Sequence, residues 1–505
     1  MENLIQEGSR PKKNRIAGKR TIVVIPSNTL EKIKIKESLL QRIGLIADEL
    51  GVKLYIVGGY VRDYYLNRPR TDFDFTVVGD SISFAETIAR KFLAKAVVYE
   101  RFRTAMVPIE GFKCEFVGTR TEECNPKSRK PKVKEGTLED DLRRRDFSIN
   151  AIAASMNKDT FGVVIDKYNG KADIESQLIR TPLDPLVTFN DDPLRMLRAA
   201  RFSAQLGFRL DNKINHAISK MTDRISIISQ ERITDELLKI LASPKPSTGF
   251  EILYQTGLLA QIFPELNALS GVEIVKDEGR KFAHKDILSH SLKVLDNIAQ
   301  VSDNIWLRFA ALVHDIAKPI TKKFSKETGW SFHGHEELGA RFMETLFRRM
   351  TLPLEHLDYV TTLVRLHQRP MVLVEEGVTD SAVRRLAFQA GAALEDLFIL
   401  CRADITTNNP KLSSKYLNNY DLVAKKVIEV QEKDKLREFQ SPVRGEEIME
   451  ICGLKPSRMV GIIKSAIETA ILDGLIPNEY EQAKKFFLEH KDIWLKEVKD
   501  DNIEE

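Results

Sequence analysis

Cysteine is scarce in this chain: Cys114, Cys124, Cys401 and Cys452 are the only ones in 505 residues, and no two form a CxxC pair. That spacing argues against a disulfide framework or a cysteine-based zinc site. Long apolar runs are also missing. No stretch approaches the roughly 18 residues needed to cross a bilayer, and the N-terminal MENLIQEGSRPKKNR has no apolar core of the signal-peptide kind. The expectation is a cytoplasmic protein without a membrane partner. Charge of one sign is lacking too, since the net charge is +4, so a nucleic-acid partner cannot be argued from the total. No repeat of fixed period is found, and no low-complexity tract beyond the N-terminal tail.

What is present is an ordinary globular composition, 43% hydrophobic and 30% charged, in a chain long enough for roughly three or four domains. Basic residues are unevenly placed, concentrated in SRPKKNRIAGKR at 9–20 and NPKSRKPKVKEG at 125–136. A solvated tail and a flexible loop explain these segments as well as RNA contact does. Periodicity divides the chain into a basic extension at 1–30, an αβ-patterned head at 31–155 and a helical neck at 156–275. A histidine-bearing helical region at 276–430 and a helical tail at 431–505 follow. The oligomeric state is not legible.

The segment VGGYVRDYYLNRPRTDFDF, Val57 to Phe75, carries the strongest local signal. A β-branched and aromatic run from Lys53 meets a helical pattern through Gly58-Gly59, leaving bare backbone amides that an anion can approach. In DFDFTVV, side chains alternate, so Asp72 and Asp74 share one face of a strand while Phe73 and Phe75 take the other. Two such close carboxylates repel unless a divalent cation lies between them, as a magnesium clamp would provide.

Further along, LEDDLRRRDFSINAIAA places Arg144, Arg145 and Asp146 before an apolar run. Arginines there suit triphosphate oxygens and an aspartate suits a ribose hydroxyl, although RRRD also fits an exposed helix start. In NDDPLRMLRAARF a helix is predicted from Pro193, capped by Asp191 and Asp192. Asp192 and Arg195 lie three apart on one face, an acceptor beside a donor fork. They fit either a cap with an ion pair or a reader of the base edge. An aspartate acceptor suits the exocyclic amino groups of cytosine and adenine and leaves uracil and guanine mispaired. Arg198 and Arg201 wind off that face and would reach phosphates.

Taken in order, GGYVRD…DFDFTVV, RRDFSINAIA, DKYNGKADIESQLIR and DDPLRMLRAARFSAQLGF resemble the motifs of class II tRNA nucleotidyltransferases, the CCA-adding enzymes related to bacterial poly(A) polymerases. The likeness covers about 55–245 and extends more loosely to the C-terminus. It implies an α+β fold, with a polymerase-β-type nucleotidyltransferase head followed by all-helical neck, HD and tail regions. It also implies addition or repair of the 3′-terminal CCA of tRNA from CTP and ATP without a nucleic-acid template. By the resemblance, Asp72 and Asp74 hold two Mg²⁺ ions, and Gly58, Gly59, Arg62, Arg145, Asp146, Arg198 and Arg201 line the nucleotide. Asp192 with Arg195 would pair with C or A. Glu115 occupies the family's third-carboxylate strand position, and Asp191 stands where the family has Glu.

Two comparisons within the family favour complete CCA addition. YERFRTAMVPIEGFKCEFVGTR does not fit the poly(A) polymerase pattern, and the basic loop at 120–140 is similar to the loop that switches one site from CTP to ATP. A poly(A) polymerase, or an enzyme adding only CC or only A, is the same-class rival. Downstream, His290, His314-Asp315 and Asp404 have the order of an HD-superfamily metal site, for a transition metal or Mg²⁺, with His335 and His367 completing a second position. HD domains resemble metal phosphohydrolases, which implies phosphate trimming from damaged tRNA ends. The rival of a different class is an HD phosphohydrolase with an RNA-binding head. His284 and His333 have no assigned partner. In the tail, Lys455, Arg458 and Lys464 suit phosphate contact or ordinary packing.

Overall fold

The computed structural model describes residues 31–69, 72–123, 132–271, 274–277, 280–283, 286–375, 377, 379–434 and 441–500. The basic extension at 1–30, residues 124–131 of the basic loop and His284 lie outside the described residues.

The head is built on a mixed sheet of seven strands. In chain order its region carries β1 (Lys53–Val57), β2 (Asp72–Val78), β3 (Val97–Tyr99), β4 (Thr104–Ile109), β5 (Phe112–Gly118), a separate hairpin of β6 (Arg120–Glu123) and β7 (Lys132–Glu135), then β8 (Ile152–Ser155) and β9 (Val164–Asp166). The strand order in the sheet is β3-β4-β5-β2-β1-β8-β9. β2 is central, antiparallel to β1 and parallel to β5. The predicted alternation holds: Phe73, Phe75 and Val77 are fully buried, with Phe75 stacked on Phe116 and Phe73 on Phe112, each at 4.8 Å. Against this face pack the helices Ser38–Glu49, through Leu39, Leu40 and Ile43, and Ser81–Lys91, through Phe84, Ala85 and Ile88. Asp80 caps the second helix by accepting from the amides of Ile82 and Ser83.

The sheet runs past residue 155, where the head is expected to end. β9 pairs with β8, and Lys32 bridges to Val163, so the residues just beyond that boundary belong to the head. The neck helices follow, including Pro185–Asp191, Leu194–Leu206 and Gln230–Leu241. Asp191 closes the first of these and does not cap the next. Pro193 stands at the N-cap, and Asp192 Oδ1 accepts from the Leu194 amide at 3.1 Å. The regions beyond the head are helical but carry short ladders, 178–179 with 209–210, 274–277 with 280–283 and 323–325 with 329–331.

One apolar core runs without a break from head through neck into the HD region, while the tail helices Gly445–Cys452, Arg458–Leu472 and Tyr480–Asp500 close over their own. Ile448, Ile463, Ile467 and Phe487 fill that second core, and an ion pair from Arg385 to Asp473 ties it to the HD region. Helix Pro410–Asp434 continues across the boundary expected at 430. No described helix is long and apolar enough to cross a membrane.

Candidate functional site

The turn between β1 and helix Gly59–Tyr65 needs its first glycine. Gly58 has φ +65°, and a Cβ there would stand 3.0 Å from Arg145 Nη1. The same turn opens a cleft of about 360 Å³ lined by Gly58, Gly59, Arg62, Asp72, Asp74, Arg145, Asp146, Arg198 and Arg201. The predicted residues from three separated motifs therefore meet around one cavity. Asp192 and Arg195 do not line it. Asp192 Oδ2 is held by Arg232 at 3.0 Å, and Arg195 Nη1 donates to the Thr188 carbonyl at 3.4 Å, so the side-by-side pair expected on one helical face has other partners.

Strand register places Glu115 of β5 directly beside Asp74, on the face that carries Asp72. Burial pushes the Asp74 carboxyl above the usual range; Arg145 draws it back and Asp72 adds to the rise. Glu115 is raised by burial and then by Asp74. Among the described residues neither the Asp72 nor the Asp74 carboxylate has a hydrogen bond or ion pair. A partly buried carboxylate group without donors is the arrangement a hard divalent cation satisfies, so these residues fit magnesium.

The opposite rim is basic and tightly held. Arg62 forks onto Asp63 through two bonds of 2.9 Å and donates to Asn150 Oδ1 at 2.8 Å. Arg145 and Arg144 share the fully buried Asp141, and Asp141 Oδ2 also accepts from Thr76. Burial alone would raise the Asp141 carboxyl, but the two guanidiniums hold it below the usual range. Asp146 accepts from Arg198 Nε at 2.8 Å and Asn150 Nδ2 at 3.0 Å. It too stays low against burial because of Arg198. Asp146 therefore orients Arg198 as well as lining the cleft. Arg62, Arg198 and Arg201 surround the Phe202 ring at 5.3, 5.4 and 4.5 Å, a cation–π hub that keeps three charges together.

Residue selection from the motifs passed over Asn150, Asp141 and above all Glu236. Glu236 belongs to the neck helix Gln230–Leu241, is 2% exposed, and lies 3.0 Å from Arg201 Nε, an ion pair whose angle leaves neither atom hydrogen-bonded. Its signal in sequence is a carboxylate at the i+3 place of the apolar stripe Ile233, Leu237, Ile240, where only a buried partner makes it tolerable. Glu236→Gln keeps the shape and removes the charge that offsets Arg201. The expected result is a nucleotide KM raised about tenfold with a smaller change in kcat, read from steady-state kinetics; an unchanged KM would leave Glu236 with a packing role only.

The histidine region forms a second site. His290 Nε2 lies 2.8 Å from Asp404 Oδ1, and His314 Nε2 lies 3.3 Å from Asp315 Oδ2. His335 Nε2 and His367 Nε2 stand 3.2 and 3.8 Å from Asp315 Oδ1 and 3.3 Å from each other. All six predicted residues are thus brought together. The other ring nitrogen is used in each case: Nδ1 of His314, His335 and His367 donates to the carbonyls of Ala311, Phe332 and Val364, and Nδ1 of His290 meets Thr406 Oγ1. The three carbonyls fix the tautomers of His314, His335 and His367 and turn their Nε2 atoms inward. His314 Nε2 and Asp315 Oδ1 are buried without a hydrogen-bond partner. Burial opposes charge on His314, yet Asp315 and Asp404 push it up to about 10, so the cluster calls for positive charge. Ligand atoms of His290, His314 and Asp404, and of His314, Asp315 and His367, lie within 4.8 Å of one another, and the donor set fits a divalent metal.

Residues 54–180 match the poly A polymerase head domain, 207–269 the probable RNA and SrmB-binding site of polymerase A, and 287–409 the HD domain. Among solved structures, the fold is similar to a Thermotoga maritima CCA-adding enzyme complexed with tRNA, at 19% identity over 90% of this chain and 96% of that one, TM-score 0.54. It is also similar to an apo form of a CCA-adding enzyme, at 21% identity over 90% and 92%, TM-score 0.57. A third similar structure is a tRNA nucleotidyltransferase complexed with a primer tRNA and an incoming ATP analog, at 23% identity over 77% and 99%, TM-score 0.53. At these identities the likeness is one of fold.

Proposed function

We propose that this chain, whose residues 54–180 match the poly A polymerase head domain and 287–409 the HD domain, adds or repairs the 3′-terminal CCA of tRNA from CTP and ATP. The observation that carries this reading is the single cleft in which Asp72 and Asp74, with Glu115 beside them, face an arginine rim across the Gly58 turn. Magnesium, held by Asp72 and Asp74, would supply stabilisation of charge on the attacking and leaving oxygens.

The chain's own residues then have separable tasks. The Gly58 turn, whose positive φ and close approach to Arg145 disfavour a Cβ, opens the backbone to the triphosphate, and Arg62, Arg145, Arg198 and Arg201 neutralise its oxygens. Asp63, Asp141, Asp146 and Glu236 hold those guanidiniums in place, so little rearrangement is needed when the anion arrives. Asp192 stands outside the cleft's lining, held by Arg232, so as an acceptor for the amino group of C or A it would act on a base that extends past the arginine rim. Asp192→Ala is expected to raise UTP incorporation relative to CTP by about tenfold or more, with a smaller change in triphosphate affinity. A variant that still takes only C and A removes the base-reading role.

Incubation of the purified protein with Mg²⁺, labelled tRNA lacking CCA, and CTP, ATP or both tests the whole reading. Addition of CC and then A is the expected result. CC alone, or A only on CC-ended tRNA, identifies a partial enzyme, and long A tails identify a poly(A) polymerase. The buried His/Asp cluster favours a second activity, metal-dependent release of phosphate from phosphorylated RNA ends, with His290, His314, Asp315 and Asp404 as ligands.

A further inference from the structure

The chain enters the head through an extended segment that presents a row of charge. In EKIKIK, Glu31 to Lys36, Ile33 and Ile35 are each 5% exposed, while Lys32, Lys34 and Lys36 all stand exposed. Among the described residues none of the three ammoniums has an ion pair. The Ile33 amide donates to the Gly162 carbonyl and the Val164 amide to the Glu31 carbonyl, both at 2.8 Å, which pins the segment to the edge of the sheet. Gly162 has φ +78°, and a Cβ there would stand 2.4 Å from the Ile33 carbonyl oxygen, so this close seating needs glycine. Three tyrosines then tie the segment along helix Gly59–Tyr65. Tyr60 donates to Glu37 Oε2 at 2.7 Å, Tyr64 Oη accepts from the Lys34 amide at 3.2 Å, and Tyr65 donates to Glu31 Oε1 at 3.0 Å. Tyr60 also lines the nucleotide cleft. The lysine row therefore starts beside that cleft and follows a seven-residue helix, about 10 Å long, away from it.

Neighbouring acids do not neutralise the row. Glu31 is engaged by Lys171 Nζ at 2.6 Å as well as by Tyr65, and Glu37 is turned to Tyr60 and the Lys36 amide. Alternate residues of an extended chain lie about 6.6 Å apart, within the screening length of about 8 Å at physiological salt. The three charges therefore act on a ligand as one field. Residues 10–36 carry nine Lys and Arg against one acid, an excess larger than the +4 of the whole chain, so the remainder is net acidic and a polyanion is drawn to this end. A small anion meets one or two ammoniums, whereas a polymer with charge at regular intervals meets the whole row. We propose that Lys32, Lys34 and Lys36 form a phosphate-backbone track on the head, outside the cleft, along which an RNA whose 3′ end sits in the cleft lays its backbone. The choice of RNA over another polyanion rests on the transferase reading above. The track reads charge and not sequence, since phosphate contacts carry no base information.

The test is filter binding of labelled tRNA lacking CCA to the full-length chain, without nucleotide, between about 50 and 200 mM salt. Lys32→Gln, Lys34→Gln and Lys36→Gln combined keep Ile33 and Ile35 as anchors. The triple variant should bind about tenfold more weakly or worse, and the slope of log affinity against log salt should fall by about two to three. Lys53→Gln with Lys158→Gln, at exposed positions at the start of β1 and just past β8, should leave affinity and slope as in the parent. In steady-state extension the triple variant should raise the KM for tRNA by a similar factor and leave the KM for CTP unchanged. A CTP KM that moves while tRNA binding does not assigns the lysines to steering of nucleotide and overturns the RNA track. An equal loss in the control variant marks a general effect of net charge and overturns it as well. Parent-like affinity and slope in the triple variant, with a parent that binds and extends tRNA, overturn the track alone. A parent that neither binds nor extends tRNA removes the transferase reading and the track with it.

Discussion

Replacing Asp74 with Asn is expected to lower nucleotide transfer to tRNA lacking CCA by on the order of a thousandfold. The substitution preserves side-chain volume, and the strand is anchored by Phe73 and Phe75 on its far face, so the fold should be unaffected. What disappears is the central charge of the carboxylate group, flanked by Asp72 along the strand and Glu115 across it. Arg145, which already pulls the Asp74 carboxyl down against burial, would keep Asp141 but lose its neighbouring charge in the cleft, biasing the cleft toward anions without the cation that organises them. Single-turnover extension of labelled tRNA measures the effect. A residual rate within tenfold of the parent would mean that the carboxylates do not carry the chemistry, as the rival with an RNA-binding head requires. The phosphate release proposed for the HD cluster serves as the internal control and should not move.

The second large effect concerns stability and comes from a residue with no chemistry to perform. Arg308 is 2% exposed and its guanidinium donates to the carbonyls of Ser302, Leu241, Ser243 and Ala299, at 2.9, 2.8, 3.1 and 3.2 Å. Leu241 ends a neck helix and Ala299 ends the helix Ile287–Ala299, so one cation caps two helix C-termini and joins the neck to the HD region. Asp303 adds an exposed partner at 3.1 Å. Arg308→Met retains most of the packing volume but leaves buried carbonyls without donors, and should cost about 3–5 kcal/mol. Urea unfolding followed by the fluorescence of the neighbouring Trp306 would report it as a lower midpoint for the HD transition. An unchanged midpoint would show that water satisfies those carbonyls.

Much of the head is legible in the sequence. Alternation in DFDFTVV assigned opposite faces to the aspartates and phenylalanines because a strand reverses its side chains at every residue. The Gly58 turn was visible because few other residues tolerate that backbone. Arg198 and Arg201 were separated from the face of Asp192 by helical rotation, and the structure places them in the cleft and Asp192 outside it. The same periodicity misjudged Asp191, since it could not show that a short helix ends at that residue before the next begins. It also ended the head too early, because β9 is recognisable only by its pairing with β8.

The sequence by itself determined which residues share a face, where glycine is obligatory, and which histidines and aspartates stand in an order that fits a metal. The shared faces follow from geometry repeated every two or every 3.6 residues, which spacing alone reports, whereas the histidine and aspartate order is legible through the resemblance to HD domains. Only the tertiary structure decided the partners. Glu236 reaches Arg201 from another helix, Arg232 takes Asp192 from forty residues away, and Lys318, Tyr416 and Tyr420 line one cleft with the His/Asp cluster. Such contacts depend on how apolar faces pack over long chain separations, and buried charge is stable only where packing delivers its counter-charge.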